Sequence, residues 1–183
     1  LALKRDEVSA VVLNPLYKHT QLESTVGIIM LAIDRGQPRV FNLKEVLQSF
    51  LTFRTEVVIR RTTFDLMKAR ERAHILEGLK IALDNLDAVI TLIRQAQSPD
   101  EARVGLMRRF ALSEIQANAI LEMRLQRLTQ LERNKLIEEY TEVLKQIERL
   151  KSILGSEALV RAIVKDELIE VREAYKDDRR TQI

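Results

Sequence analysis

Residues 43–83 contain no proline and one glycine, Gly78, and this uninterrupted stretch constrains the fold more than any other. Read in sevens, Leu43, Phe50, Val57 and Phe64 form one row, and Val46, Phe53 and Met67 a second row three residues on. Two such rows make an apolar seam along one side of a helix. Asn42 stands as its N-cap, with Glu45 three residues later as in a capping box. At about 1.5 Å per residue the helix would run roughly 60 Å. A helix of that length needs a partner along it. Arg60 falls where the seam calls for an apolar residue, so its stem is expected along the seam with the charge outside. Past Met67 the pattern loosens, because Glu71 and His74 take the next seam positions. His74 therefore reads as a polar residue at a helix interface rather than a catalytic base.

The partner lies at 129–154. Leu136, Tyr140, Val143, Ile147, Leu150 and Leu154 step by fours and threes, with a charged opposite face. Thr129-Gln130-Leu131-Glu132 opens this helix as a capping box. A parallel homodimeric zipper is one arrangement of two heptad stretches. The intervening residues 84–128 favour the intramolecular one, because they read as three short helices building a small knob. Ser98-Pro99-Asp100-Glu101 and Ser113-Glu114-Ile115-Gln116 are their start signals, and Asp87 can open the first. The predicted fold class is mainly α: a long antiparallel coiled-coil arm with a small helical tip, plus a short β-hairpin near the N-terminus.

That hairpin is read from Val26 to Ile33, an unbroken apolar run expected to be a strand buried on both faces. A turn at Asp34-Arg35-Gly36-Gln37 and a short return strand Arg39-Val40-Phe41 follow, with Pro38 at its start. Before it, Leu1-Ala2-Leu3 reads as a strand stub. Asp6 is expected to cap a helix through Val8, Val11, Val12 and Leu16 that Pro15 kinks or ends near Asn14. After the arm, Gly155 suits a left-handed cap and Ser156 caps a further helix, Glu157 to about Tyr175, with Val160, Val164, Leu168, Val171 and Tyr175 on one face. Residues 176–183 read as a charged terminus.

Composition fits this helical reading. Apolar residues are 46% and charged residues 31% of 183, and there is no Cys. Disulfides, thiolate nucleophiles and Cys-ligated zinc are thereby excluded. The two histidines, His19 and His74, are far apart, no apolar run reaches membrane-span length, and no signal peptide is visible. The N-terminus lacks a start Met, so the chain reads as an excised fragment. No phosphate-binding Gly loop or nucleophile with a neighbouring base is legible. Asp65, Asp84 and Asp87 do not form a magnesium cluster, and Tyr17, Tyr140 and Tyr175 read as structural.

The net charge of +3 is placed unevenly. Arg54, Arg60, Arg61, Lys68, Arg70 and Arg72 face only Glu56, Asp65 and Glu71 between residues 54 and 72. A solvated helix face is one reading of that run. Contact with phosphates is the other. The knob, with six basic and six acidic residues in 84–128, is balanced.

Several strings are specific together. Arg60-Arg61-Thr62-Thr63-Phe64-Asp65-Leu66, Lys68-Ala69-Arg70 and Ala73-His74-Ile75-Leu76-Glu77-Gly78-Leu79 resemble the long helix of bacterial type IIA topoisomerase A subunits. So do Leu13-Asn14 with Leu16-Tyr17, residues 117–128, Ile153-Leu154-Gly155-Ser156 and Asp178-Arg179-Arg180-Thr181. Leu128-Thr129-Gln130-Leu131-Glu132 and the Thr181 ending look more like the DNA gyrase branch than the topoisomerase IV branch.

The resemblance implies an organisation: 1–41 the end of a tower domain, 42–83 the outgoing coiled-coil helix, 84–128 a knob for C-gate dimerisation, 129–154 the returning helix, and 155–183 a terminal helix and tail. It implies no catalytic residue, metal ligand or cofactor here, with the DNA-cleaving tyrosine in an upstream domain and Mg and ATP bound elsewhere in the holoenzyme. It further implies three partners, namely double-stranded DNA, a second copy of the same polypeptide (a homodimer through the knob) and the gyrase B subunit of an A2B2 assembly, with no membrane, in the cytoplasm at the chromosome. Candidate dimer-interface residues are Leu112, Ile115, Ile120, Met123 and Leu125, each with an intraknob core role as the alternative. Candidate DNA contacts are the six basic residues of 54–72. Competing functions are a general coiled-coil adaptor, which does not explain the hairpin, and a nucleic-acid-binding arm of the tRNA-synthetase kind, which would need a basic tip.

Overall fold

The computed structural model describes residues 8–123 and 130–178. Its elements run α1 (Ser9–His19), β1 (Met30–Asp34), β2 (Gln37–Phe41), α2 (Leu43–Asp84), α3 (Leu86–Gln95), α4 (Pro99–Phe110), α5 (Glu114–Leu121), α6 (Gln130–Leu154) and α7 (Glu157–Tyr175). The chain divides into two units, Leu1–Phe50 and Leu51–Ile183. The expected strand stub at Leu1-Ala2-Leu3, the Asp6 and Thr129 caps, and Arg179 to Thr181 of the tail fall outside the described residues.

In the first unit, α1 runs through Pro15 to His19 instead of ending near Asn14. Proline removes one N–H, the one that would reach Val11, and the helix tolerates the loss because it is solvent-exposed. Its end is secured by Thr20, whose N–H and hydroxyl both donate to the Leu16 carbonyl. Strand β1 starts at Met30, four residues later than the apolar run, and pairs antiparallel with β2 from Met30↔Phe41 to Asp34↔Gln37. Arg35 and Gly36 both take positive φ (49° and 82°), which is the twist a two-residue hairpin loop requires. The strand is not buried on both faces: Ile28, Ile29, Leu31 and Ile33 are all exposed. Two strands alone supply no second layer to cover them. Asn42 and Glu45 form the predicted reciprocal cap of α2, each backbone N–H donating to the other's side chain at 2.9 Å.

The second unit holds the rest of α2 and everything after it. α2 and α6 run antiparallel, because Asp84 meets Arg133 (2.7 Å), Arg72 meets Glu139 (2.8 Å from Nε) and Leu66 packs on Ile147. The α6 seam lies as the heptads predict. Leu136 and Ile147 are buried, while Tyr140, Val143, Leu150 and Leu154 pack against the same clusters.

The α2 seam lies elsewhere. Its buried stripe is Val58, Thr62, Leu66, Ala69, Ala73, Leu76, Leu79 and Leu83. Leu43, Phe50, Phe53, Phe64 and Met67 are exposed. Most of the predicted rows therefore lie away from the packed stripe, with Val46 and Val57 half-buried, and Arg60 is an ordinary member of the outer face. Glu71 and His74 belong to it too, so the seam that loosens past Met67 is not the one that packs. Thr62 can be buried because its hydroxyl donates to the Val58 carbonyl at 2.7 Å.

Leu76, Leu79, Ala82 and Leu83 of α2 continue into the knob core with Val89, Leu106, Leu112, Ala117, Ile120 and Leu136. Ser98 caps α4 through the Glu101 N–H, while the Glu101 carboxylate reaches the Gln97 N–H (2.8 Å) rather than Ser98. α5 has the full predicted capping box between Ser113 and Gln116. α7 begins behind Ser156, whose hydroxyl accepts from the Leu159 N–H. Gly155 is not left-handed; its N–H donates to the Lys151 carbonyl at 2.9 Å and so extends the α6 turn. Val160 and Val164 of α7 enclose Val58, which is fully buried.

Candidate functional site

Two groups of residues carry the functional expectations, and the packing of α2 decides what each can do. The first is the knob surface. Among its candidates, Leu112 (5% exposed) and Ile120 (3%) belong to the knob's own core. A residue that fills the monomer core cannot also cross a dimer axis, so those two are removed from the interface set. Met123 is half-buried against the same core. Ile115 alone stands out, 61% exposed at the start of α5. Leu125 lies outside the described residues.

The second group is the basic run on α2. Four of its six cations are already engaged. Arg54 and Arg61 both bind the Glu167 carboxylate of α7. Arg72 binds Glu139 through Nε and Nη2, and Lys68 pairs with Glu71 at 2.9 Å while lying over the Phe64 ring. Arg60 and Arg70 are exposed, and among the described residues neither has an ion-pair partner. The hydrogen bond from Arg61 holds Glu167 below the usual carboxylate range; burial opposes it, and the charges of Arg61 and Arg54 add to it. Helix periodicity could not have shown these pairs, because Glu167 is more than a hundred residues from either arginine.

One further cluster was not legible in the sequence. His74 Nε2 lies 2.7 Å from Ser113 Oγ, a serine–histidine pair from positions 39 apart. The surrounding bonds fix its chemistry. Gln116 Nε2 lies 3.3 Å from His74 Nδ1 and can only donate, so Nδ1 accepts and Nε2 carries the proton. Nε2 therefore donates to the serine hydroxyl and is in the wrong tautomer to take its proton. Ser113 Oγ also accepts from the Gln116 N–H, as the helix cap. The pair organises packing and is not built as a nucleophile and base.

Of the tyrosines, Tyr140 sits half-buried in the α6 seam beneath Lys80 (5.7 Å). Tyr17 lines a surface cleft with Asn14, Lys18, Glu23, Ser24 and Thr25, and Tyr175 is exposed at the end of α7. Among the described residues no group of acids and histidines is arranged to hold a metal, and no helix is long and apolar enough to cross a membrane.

These features define a helical protein of the arm-and-knob kind, in which ion pairs and polar clusters tie helices together. Comparison with known proteins places it more narrowly. The profile of the DNA gyrase/topoisomerase IV A-subunit family matches residues 1–169, and the chain belongs to that family. It is 56% identical over its whole length to the DNA gyrase A subunit of Campylobacter fetus, of which it covers 21%. Identity is 54% to the gyrase A protein of Clostridium acetobutylicum and 53% to that of Helicobacter pylori strain J99, again over the whole chain and 22% of each relative. The chain thus spans about a fifth of the length of these relatives.

Proposed function

We propose that this chain is the arm and exit-gate region of a DNA gyrase A subunit. In this reading, 1–41 is the end of the tower domain, 42–83 and 129–154 are the outgoing and returning struts, 84–128 is the gate knob, and 155–183 is a terminal helix and tail. The parent would be a type IIA topoisomerase working with a B subunit on double-stranded DNA, with Mg and ATP bound elsewhere and the cleaving tyrosine in another domain. This region contributes mechanics rather than chemistry. The knobs of two protomers meet across a two-fold axis, hold the dimer while DNA is cut, and part to release a duplex.

The supporting observation is the antiparallel α2–α6 pair whose ends share one core with α3, α4 and α5, with a large apolar side chain, Ile115, turned to solvent at α5. Such a side chain at the centre of an isologous contact excludes water from both protomers. Sedimentation equilibrium tests the reading. The 183-residue chain should dimerise at micromolar concentration, and Ile115→Asp should weaken the dimer at least tenfold, about 1.4 kcal/mol, with unchanged helicity. A monomeric parent chain, or a dimer indifferent to Ile115→Asp, would remove the gate from this surface. Ile120→Asp is unsuitable as a probe, since it would unfold the knob.

A further inference from the structure

The foot of α5 is tied down more firmly than a helix cap requires. α5 has eight residues, too few to hold a helix alone in water. Ala117 and Ile120 anchor it in the knob core, but its N-terminal end is held by polar bonds to α2. Gln116 is 5% exposed, and its amide is fully used. Oε1 accepts from the Ser113 N–H at 2.9 Å, and Nε2 donates to the His74 carbonyl at 2.8 Å and toward His74 Nδ1. The Ser113 hydroxyl serves both helices as well, accepting from the Gln116 N–H and from His74 Nε2.

Gly78, one turn on from His74, completes the arrangement. A Cβ there would lie 2.6 Å from Gln116 Cβ, so glycine leaves a notch in α2 into which Gln116 fits. The two side chains that cap α5 are thus the same side chains that bind α2, Ser113 through one oxygen and Gln116 through the two ends of its amide. Removing α5 from the notch would leave a buried-type amide without its partners, which carries a desolvation cost.

We propose that His74, Ser113 and Gln116 form a positioning latch, in which capping of α5 and its seating in the Gly78 notch are one cooperative step. The latch fixes the direction in which α5 presents Ile115. Its consequence for partner binding rests on the gate reading; the latch itself does not.

Hydrogen exchange of the full-length protein, followed by mass spectrometry on the peptides covering 114–121 and 99–110, separates the two. His74→Phe leaves the capping atoms of α5 untouched and alters an exposed ring, so the fold is retained. It should speed exchange across 114–121 about fivefold or more and leave 99–110 unchanged. Gly78→Val should act in the same direction by filling the notch. Ser113→Thr, which keeps the hydroxyl, should exchange like the wild type. Ile115→Asp would loosen α5 only through dimer dissociation, hence in a concentration-dependent way, whereas latch variants act at every concentration. The proposal is overturned if His74→Phe exchanges at the wild-type rate while Ser113→Ala does not, which would reduce the cluster to a cap. Equal acceleration of 99–110 would overturn it too, since the knob would then loosen as a whole.

Discussion

Glu167 shows how much one residue can contribute when its partners converge. It is a single carboxylate on α7 bound by two arginines on α2, Arg54 and Arg61, and only 26% of its side chain is exposed. Most ion pairs here are different. Lys68–Glu71, Lys135–Glu132 and Lys151–Glu148 join neighbours on one helix and lie in solvent, where such pairs contribute a few tenths of a kcal/mol. Glu167 links two helices at the end of a three-valine cluster, Val58, Val160 and Val164. Glu167→Gln should therefore destabilise the chain by about 1 kcal/mol in urea unfolding, because the part-buried Arg54 and the more exposed Arg61 lose their shared counter-charge. The pH dependence has a definite sign. The folded-state pKa of Glu167 lies below its ordinary value of 4.5. The ionised carboxylate thus stabilises the fold at pH above that value, and the contribution disappears as the pH falls through the lower folded-state pKa. Wild type and Glu167→Gln should converge in stability on acidification and differ fully at neutral pH. A difference independent of pH would mean that packing, not charge, holds α7.

At the scale of the element, α2 carries two apolar stripes on opposite sides. The outer one is made of large residues, Phe50, Phe53, Phe64 and Met67; the packed one includes Val58, Thr62, Ala69 and Ala73. Weighting a sequence by large apolar residues selects the outer stripe. The packed stripe mixes leucines with alanines, and its threonine counts as apolar because its hydroxyl is bonded to its own helix. The α6 seam was legible because its large residues are the packed ones, from Leu136 to Leu154. The capping boxes at Asn42 and Ser113 were legible because they are local, with donor and acceptor three residues apart. Strand β1 was misjudged for the opposite reason: its apolar run Val26 to Ile33 says nothing about whether a second layer exists to bury it. A pair of truncations checks the phase of α2. Leu66→Ala should cost about 2–4 kcal/mol in denaturant unfolding of the chain, as a buried leucine between α2 and α6. Phe64→Ala should cost less than about 1 kcal/mol, since its ring is exposed and lies under Lys68 rather than in a core cluster. The reverse order would restore the heptad rows as the packed seam.

Over the whole molecule, the uneven placement of charge reads differently once pairing is known. The run from Arg54 to Arg72 holds an excess of cations in sequence, but Arg54 and Arg61 bind Glu167 and Arg72 binds Glu139, acids that arrive from α7 and α6. The local excess therefore belongs to the linear chain and is partly neutralised by folding. Only Arg60 and Arg70 remain exposed and without an ion-pair partner among the described residues. Any phosphate contact by this face should then depend chiefly on those two, since recruiting Arg54, Arg61 or Arg72 would first require breaking inter-helix pairs and Lys68 is already paired with Glu71 on its own helix. Counterion release turns this into a measurement. Each phosphate neutralised contributes about −0.9 to the slope of log K against log salt. In the full-length protein, Arg60→Ala with Arg70→Ala should lower the magnitude of that slope for duplex DNA by about 2 and leave thermal stability unchanged. Arg54→Ala with Arg61→Ala should do the reverse, lowering stability through Glu167 with little change in slope. If the Arg60 and Arg70 pair leaves the slope at its wild-type value, this helix face is a solvated surface, and DNA is held by other parts of the parent protein.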